Sequence, residues 1–479
     1  METVDLLIVN SQSIATMNDE REIIRNSGWI GIRDGIIVAM GNSEQVPPPT
    51  QKLFDATGCL LTPGLVNSHQ HLYQNLTRSM KPNGVTGLTE WFWTYFPMWK
   101  ELDEEAIRTS VRLGLFELAL SGCTTATDHE YIHPFPYLMD AVIEEAVEVG
   151  VRLMAVRGSM TLGPEQGGVC LPGMAEDEED VIADCIRLIE KWHDPNASAM
   201  VQVALGPSNL MSSTETVFAR SAEIAKKYGV RLHTHIADDP DETEYVLEHF
   251  GKTPLEVLEG LGWFTAYTWC AHVVYPSNAE MERLAASGVS VAHCPSATVI
   301  DGGLPGGPTP VRDLLNAGVN VGIGCDGATA GDHQSMWMET KTALLLSRLR
   351  EGTVQAMTAM DALWLATRGS AKALGREGNI GQLTIGANAD IALWKMDGIA
   401  YAGSLVDDVT ALFQGGPAQV WSSWVGGVPL VQDGRLINVD VSVEVARHTK
   451  SARRLQAFSQ EQQHLFPRLI SLTVTSLHL

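Results

Sequence analysis

LTPGLVNSHQH, residues 61–71, carries an apolar β-type run through a Pro-Gly turn signal and ends on two histidines at i and i+2, His69 and His71. On a regular strand those positions share a face, so the two imidazoles converge on one ion while Gln70 points away. An isolated H-x-H says little. Its weight comes from the rest of the chain, where apolar runs of five to eight residues alternate with helical stretches. They read LLTPGLVNSH, GCTTATDH, GVRLMAVRG, AMVQVALGP, GVRLHTHIAD, AYTWCAH, GVSVAHCP and GVNVGIGCD. Between them, segments such as EAIRTSVRLGLFELALSG and STETVFARSAEIAKKYG have the 3.6-residue apolar spacing of amphipathic helices, several closing with Gly. Eight such units make an α/β protein built on a (β/α)8 TIM-like barrel, whose chemistry belongs at the C-terminal strand ends.

The last residues of those runs carry the side chains that metals use. Strand one gives His69 and His71, strand five His233 and His235 followed by Asp238, strand six His272, strand seven His293 and strand eight Asp326. Neutral imidazole nitrogen and carboxylate oxygen suit zinc and its relatives, and a catalytic site leaves a position open for water. The ligand set read from the sequence is His69, His71, His235 and Asp326. His233 shares the face of His235, so strand parity does not choose between them; His235 is preferred for lying nearer the strand's C-terminal end.

Residues 1–62 read as short strands with an Asp34-Gly35 turn, and residues 375–440 read the same way, with a turn at Asp433-Gly434. Neither half has enough strands to hide a face, so the two ends are expected to build one small β-sandwich together. The barrel then spans 63–374, and 441–479 forms a C-terminal tail that begins helical and ends in SLTVTSLHL.

Composition narrows the partners. A net charge of −24 leaves no basic stripe for nucleic acid or anionic membranes. No apolar run reaches the roughly 18 residues of a membrane span, and METVDLLIVN has no basic region before its apolar stretch. The expectation is a cytoplasmic protein acting on a small molecule. The seven cysteines (59, 123, 170, 185, 270, 294, 325) are odd in number and lack C-x-x-C pairs, which argues against a disulfide framework or a Cys-based zinc site. His129 to His133 fits H-E-x-x-H, but that motif works on a helix. Here it follows a β-rich run and precedes Pro134 and Pro136, so a metalloprotease is set aside.

PGLVNSHQHLYQ, HTHIAD, CAH, AHCP and GIGCDG, taken in order, resemble the strand one, five, six, seven and eight motifs of the amidohydrolase superfamily, in its cytosine, guanine and adenosine-type aminohydrolase branch. GQLTIGANADIALWKM and WVGGVPLVQDGRL resemble its C-terminal sandwich. HLYQNLTR (71–78), SGCTTATDH (121–129) and RGSMTLG (157–163) bring the chain nearest in look to 8-oxoguanine deaminases and the related isoxanthopterin and triazine hydrolases. The resemblance implies one divalent metal per chain, zinc or iron, on positions matching the four ligands above. It implies water activated on that metal, attack on the ring carbon bearing an amine, and release of ammonia. Asp326 is then ligand and proton acceptor, His272 orients or polarises the attacked group, and Asp238 carries protons, although relatives usually have Glu there. Gln74 matches a position that hydrogen-bonds the heterocycle, and its amide can offer donor and acceptor together. Arg157, ending strand three, either reads a carbonyl oxygen or pairs with an acidic neighbour. Trp91, Trp93, Tyr95, Phe96 and Trp99 either stack on a flat ring or form an apolar helix face. GATAGDHQSMW, which follows Asp326 and begins at Gly327, departs from the Ser-Asn loop of many relatives, and the Gly-rich GPEQGG and DGGLPGGP read as rim loops. The related expectations are a small heterocyclic substrate and a homo-oligomer. Rival readings are displacement of an alkylamine or halide, opening of a cyclic amide, and a non-catalytic scaffold.

Overall fold

The run read from residue 60 to 69 is two strands that part at Gly64. Cys59–Pro63 pairs antiparallel with Ile391–Lys395, joining the two chain ends in one sheet, whereas Leu65–Asn67 begins the barrel. Gly64 is required at the parting because a Cβ there would lie 2.1 Å from Thr124 Oγ1. The computed structural model describes residues 2–80, 88–300, 307–331, 333–404, 406–416 and 418–462.

Five strands open the chain: β1 (Val4–Ala15), β2 (Ile23–Arg33), β3 (Ile36–Gly41), β4 (Thr50–Asp55) and β5 (Cys59–Pro63). The barrel follows as β6 (Leu65–Asn67), β7 (Cys123–Glu130), β8 (Arg152–Ser159), β9 (Val201–Pro207), β10 (Arg231–Ile236), β11 (Thr268–His272), β12 (Ser290–His293) and β13 (Asn320–Ile323). These eight pair in sequence order and in parallel, matching the eight runs read from the sequence. The chain returns to the first sheet with β14 (Ile391–Lys395), β15 (Ser422–Val425), β16 (Val428–Gln432) and β17 (Arg435–Leu436). That nine-stranded sheet, the sandwich part, has its own core of Ile8, Ile14, Ile30, Leu61, Ile391 and Trp424.

Strand alternation sorts the barrel's side chains into two layers. Val66, Met154, Val156, Ala204, Trp269 and Ala292 fill the interior, while Leu153, Ala155, Leu232, Cys270, Val321 and Ile323 face the helices. Helix Glu178–Trp192 shows how the outer layer forms. Asp177 caps its first turn by accepting from Glu179 and Asp180 N–H, and Val181, Ile182, Cys185, Leu188 and Ile189 form one buried stripe. Arg152, on β8, clamps barrel to sandwich through a buried two-pronged pair with Asp390, Nε to Oδ2 at 2.7 Å and Nη2 to Oδ1 at 2.9 Å. The tail begins as helix Val441–Gln462, which lies against Glu104–Leu120 through Arg112–Glu444 and Arg447–Glu105 pairs and donates from Gln456 to Leu76 O. Residues 463–479, including SLTVTSLHL, lie outside the described part.

Candidate metal centre and active site

At the barrel's C-terminal mouth, ring closure and ligand placement coincide. Ser68 donates to Ile323 O from both its backbone N and its hydroxyl, and Asp326 N donates to His69 O at 3.1 Å. The ends of β6 and β13 are thereby held side by side. His69 and His71 lie just past β6 rather than on it, with His71 itself extended, so no ladder enforces the alternation argument there.

The imidazoles have their tautomers assigned by hydrogen bonds. His71 Nδ1 donates to His129 O at 2.6 Å and His235 Nδ1 to Ser208 O at 2.7 Å, which leaves each Nε2 as a lone pair. His69 reaches the same state through a relay. His233 Nδ1 donates to Trp269 O at 2.9 Å, so its Nε2 accepts from His69 Nδ1 at 2.8 Å, and His69 Nε2 is left fully buried with no hydrogen-bond partner. His71 and His235 Nε2 lie 3.0 Å apart, and Asp326 Oδ1 is 3.4 Å from His71 Nε2 and 3.6 Å from His69 Nε2. Donors held about 2.0–2.2 Å from a common ion are separated by such edges, and His69, His71, His129 and His235 offer donor atoms all within 4.8 Å of one another. Burial, reinforced by neighbouring imidazoles, keeps His69 and His71 well below the usual histidine range and takes His235 down to about 4. All three are then neutral near pH 7, as ligation requires.

The second carboxylate oxygen of Asp326 faces His272, with Oδ2 3.7 Å from Nε2, and His272 Nδ1 lies 3.4 Å from Asp238 Oδ1. Cys270 packs on the helix side of β11, so regular alternation would send His272 outward as well. A left-handed backbone at His272 (φ 74°) and Val273 (φ 47°) changes that course, a strained conformation of the kind found at functional sites. Burial first, and then the charge of Asp326, pushes the Asp238 carboxyl well above the usual range. Glu242 backs this loop: it is 1% exposed, its Oε2 accepts from Asp238 N at 3.1 Å, and burial raises it to about 8.

Gln74 stands at the same mouth. Its Oε1 accepts from Thr329 N and the Thr329 hydroxyl, and its buried Nε2 has no hydrogen-bond partner, so it offers only the donor half of the expected amide pair. Gly327 makes room for it, since a Cβ there would be 1.8 Å from Gln74 Oε1. Tyr73 and Tyr131, with ring centres 6.2 and 5.0 Å from that of His71, continue this wall.

Arg157 is the correction. It shares the outer, helix-facing parity of Leu153 and Ala155, and its buried guanidinium pairs with Asp184 (2.7 Å) and Glu176 (2.6 Å), so it is held away from the substrate side. Of the aromatic residues read after strand one, Trp91, Tyr95, Phe96 and Trp99 form a buried face of helix Leu88–Trp99, with Tyr95 stacked on Trp99. The side chain of Trp93 lies outside the described part, as do residues 301–306 and 332 of the two loops singled out above. His129 and Glu130 end a strand, which removes the helix that H-E-x-x-H needs.

His129, whose place directly after the strand-two run lets it face the pocket, is given no role from sequence. Its ring stacks on His235 with centres 4.8 Å apart, Nε2 donates to Gly206 O at 2.7 Å, and Nδ1 has no hydrogen-bond partner. Its signal was the strand-end position it shares with the other histidines. Among the described residues, His293, at the end of β12, belongs neither to the donor group of His69, His71, His129 and His235 nor to that of His69, His272, Cys294 and Asp326.

Comparison with known proteins gives the same picture from another direction. The Amidohydrolase family pattern matches residues 60–427. An 8-oxoguanine deaminase from Pseudomonas aeruginosa is 38% identical over 434 residues, covering 90% of this chain and 95% of that protein. An isoxanthopterin deaminase from an unknown prokaryotic organism is 31% identical, covering 82% and 85%. Among solved structures, an atrazine chlorohydrolase from Arthrobacter aurescens TC1 complexed with zinc superposes with a TM-score of 0.86 at 31% identity, covering 93% of this chain and all of that one.

Proposed function

Because the chain belongs to the amidohydrolase family, we propose that it is a metal-dependent hydrolytic deaminase of an amino-substituted nitrogen heterocycle of the oxopurine or pterin kind. The observation that carries this reading is the convergence of three buried imidazole lone pairs and one Asp326 oxygen at the barrel mouth. Two relatives named as deaminases of such rings, each covering most of the chain, support the substrate class.

His69, His71, His235 and Asp326 would hold one divalent ion, zinc or iron. Bound there, the ion supplies the acidity that makes water a nucleophile near neutral pH. Asp326 would take the proton from the attacking water. His272, between Asp326 and Asp238, orients the attacked ring carbon and stabilises charge on its neighbours. Asp238, whose carboxyl burial pushes well above the usual range, gives its proton to the ring nitrogen; the departing amine takes the proton that Asp326 received and leaves as ammonia, while the proton on the new hydroxyl returns to Asp238 as the carbonyl forms. Its backbone is fixed by Glu242, which supports aspartate acting where relatives carry the longer glutamate. Gln74 Nε2 donates to a ring carbonyl oxygen or unprotonated ring nitrogen. This reading takes the protein as cytoplasmic and as a homo-oligomer, and light scattering on the purified chain tests the oligomeric state.

The measurement is ammonia release by metal-loaded protein across guanine, 8-oxoguanine, isoxanthopterin, cytosine, adenosine and aminotriazines, with metal content determined on the same sample. One of the fused oxo-heterocycles should be the best substrate, and Asp326→Ala should lower the rate by roughly 10²–10⁴-fold or more. Likeness to the atrazine chlorohydrolase favours a second reading in which the same centre displaces a halide or alkylamine. Metal-bearing protein that releases no ammonia from the panel but yields chloride or alkylamine from triazines would establish that reading in place of the first.

A further inference from the structure

Asp326 faces two ways. Oδ1 lies against His69 and His71, while Oδ2 is 3.7 Å from His272 Nε2. Cys294 follows immediately after β12, and His69, His272, Cys294 and Asp326 offer donor atoms all within 4.8 Å of one another, all buried. The deamination described above leaves the thiol unused. Its hydrogen bond within the fold is a long one, 3.7 Å to Ala292 O.

We propose that Asp326 Oδ2, His272 Nε2 and Cys294 Sγ form a second, inhibitory divalent-metal subsite beside the first, taking zinc or cadmium when the metal is in excess. The inference rests on the reading of the first four ligands as a metal centre. Tetrahedral zinc with bonds of about 2.0–2.3 Å holds its donors about 3.4–3.8 Å apart, so the 3.7 Å between Asp326 Oδ2 and His272 Nε2 already matches one edge, and Cys294, within 4.8 Å of both residues' donors, closes on the ion by a shift of about 1 Å. One nitrogen, one sulfur and one carboxylate oxygen select borderline and soft ions over magnesium or calcium. His272 can present the required lone pair: its Nδ1 is buried with no hydrogen-bond partner, and Asp238 Oδ1 at 3.4 Å favours the proton on that nitrogen. Binding exchanges the thiol proton, which leaves to solvent, for a metal–sulfur bond. His272 and the free oxygen of Asp326 are then both engaged, and turnover stops.

Protein carrying one equivalent of zinc is titrated with cadmium while the ultraviolet charge-transfer absorption of a cadmium–thiolate bond and the release of ammonia are followed together. The absorption should grow with one further equivalent as activity falls. Cys294→Ser and Cys294→Ala should retain the activity of the one-zinc protein, lose the absorption, and need at least about tenfold more cadmium for the same inhibition. A titration of the unsubstituted protein that produces no such absorption overturns the proposal. So does absorption or inhibition that persists unchanged in both variants. Failure of the deaminase reading has a different signature, no ammonia at any metal load, with the Cys294-dependent absorption still readable.

Discussion

His233 and His235 share one face of one strand, and what separates them is the atom that each ring presents. His235 turns its Nε2 lone pair to the ligand cluster, whereas His233 spends its own on the Nδ1 proton of His69. Strand parity carries no information about such a relay, because it depends on Trp269 O from the next strand. The distinction has an experimental form. His233→Ala should weaken metal binding about 10–100-fold, with activity recovered by added metal, while His235→Ala should not recover. Equal recovery in both would mean that the assignment of ligand and orienting residue is wrong. Glu242 gives a residue-scale prediction about pH. Burial raises its folded pKa to about 8, above the ordinary glutamate value of 4.5. Between those values the folded chain keeps a proton that the unfolded chain has lost, so this group's contribution to stability falls as pH rises, by about 1.4 kcal/mol per pH unit. The buried histidines, neutral in the folded chain, are protonated on unfolding as pH falls toward 6.5 and so add a slope of the opposite sign, which a comparison of two chains sharing them cancels. Thermal melts of metal-free protein from pH 6.5 to 8 should therefore show the unsubstituted chain losing stability relative to Glu242→Gln, which keeps the acceptor for Asp238 N, as pH rises.

At the scale of elements, the eight barrel strands were legible because each is a short apolar run followed by an amphipathic helical stretch. The chain ends were legible as strands whose faces neither half could cover alone. The parting at Gly64 was not legible, since it is forced by Thr124 on a neighbouring strand. His272 was placed correctly at a strand end, yet its course depends on a left-handed backbone that alternation does not foresee, and of the two readings of Arg157 its outward parity selects the pairing with acidic neighbours over the substrate contact. The clamp between Arg152 and Asp390 is likewise a product of the assembled elements, joining β8 to the segment before β14. Removing one member of a buried pair leaves the other charge uncompensated, which typically costs about 3–5 kcal/mol. Asp390→Ala should therefore shift the denaturant midpoint strongly. A near-neutral result would show that the carbonyls of Ser198 and Ala199, which also accept from Arg152, are enough to hold the guanidinium.

For the whole molecule, the four proposed ligands come from the ends of β6, β10 and β13, so an ion held by them ties the first barrel strand to the last and to one across the ring. Most of this set could be read from sequence because a barrel gathers its strand ends at one mouth, whatever their separation along the chain. The parts that escaped, the His129 ring against His235 and the Thr329 contacts that take up Gln74 Oε1, are cross-element contacts with no local pattern. Such a tie predicts a stability effect that does not depend on knowing the substrate. An ion that binds the folded chain and not the unfolded one stabilises it by RT ln(1 + [L]/Kd), about 2.7 kcal/mol when free metal is 100-fold above Kd. Chelation should lower the melting temperature and zinc should restore it. Asp326→Ala, lacking a ligand, should show only a small part of that restoration, and His71→Asn should behave alike because its Nε2 lies at the same centre. If the unsubstituted protein melts at one temperature with and without metal, the four side chains do not hold an ion in common, and the catalytic reading built on them fails with it.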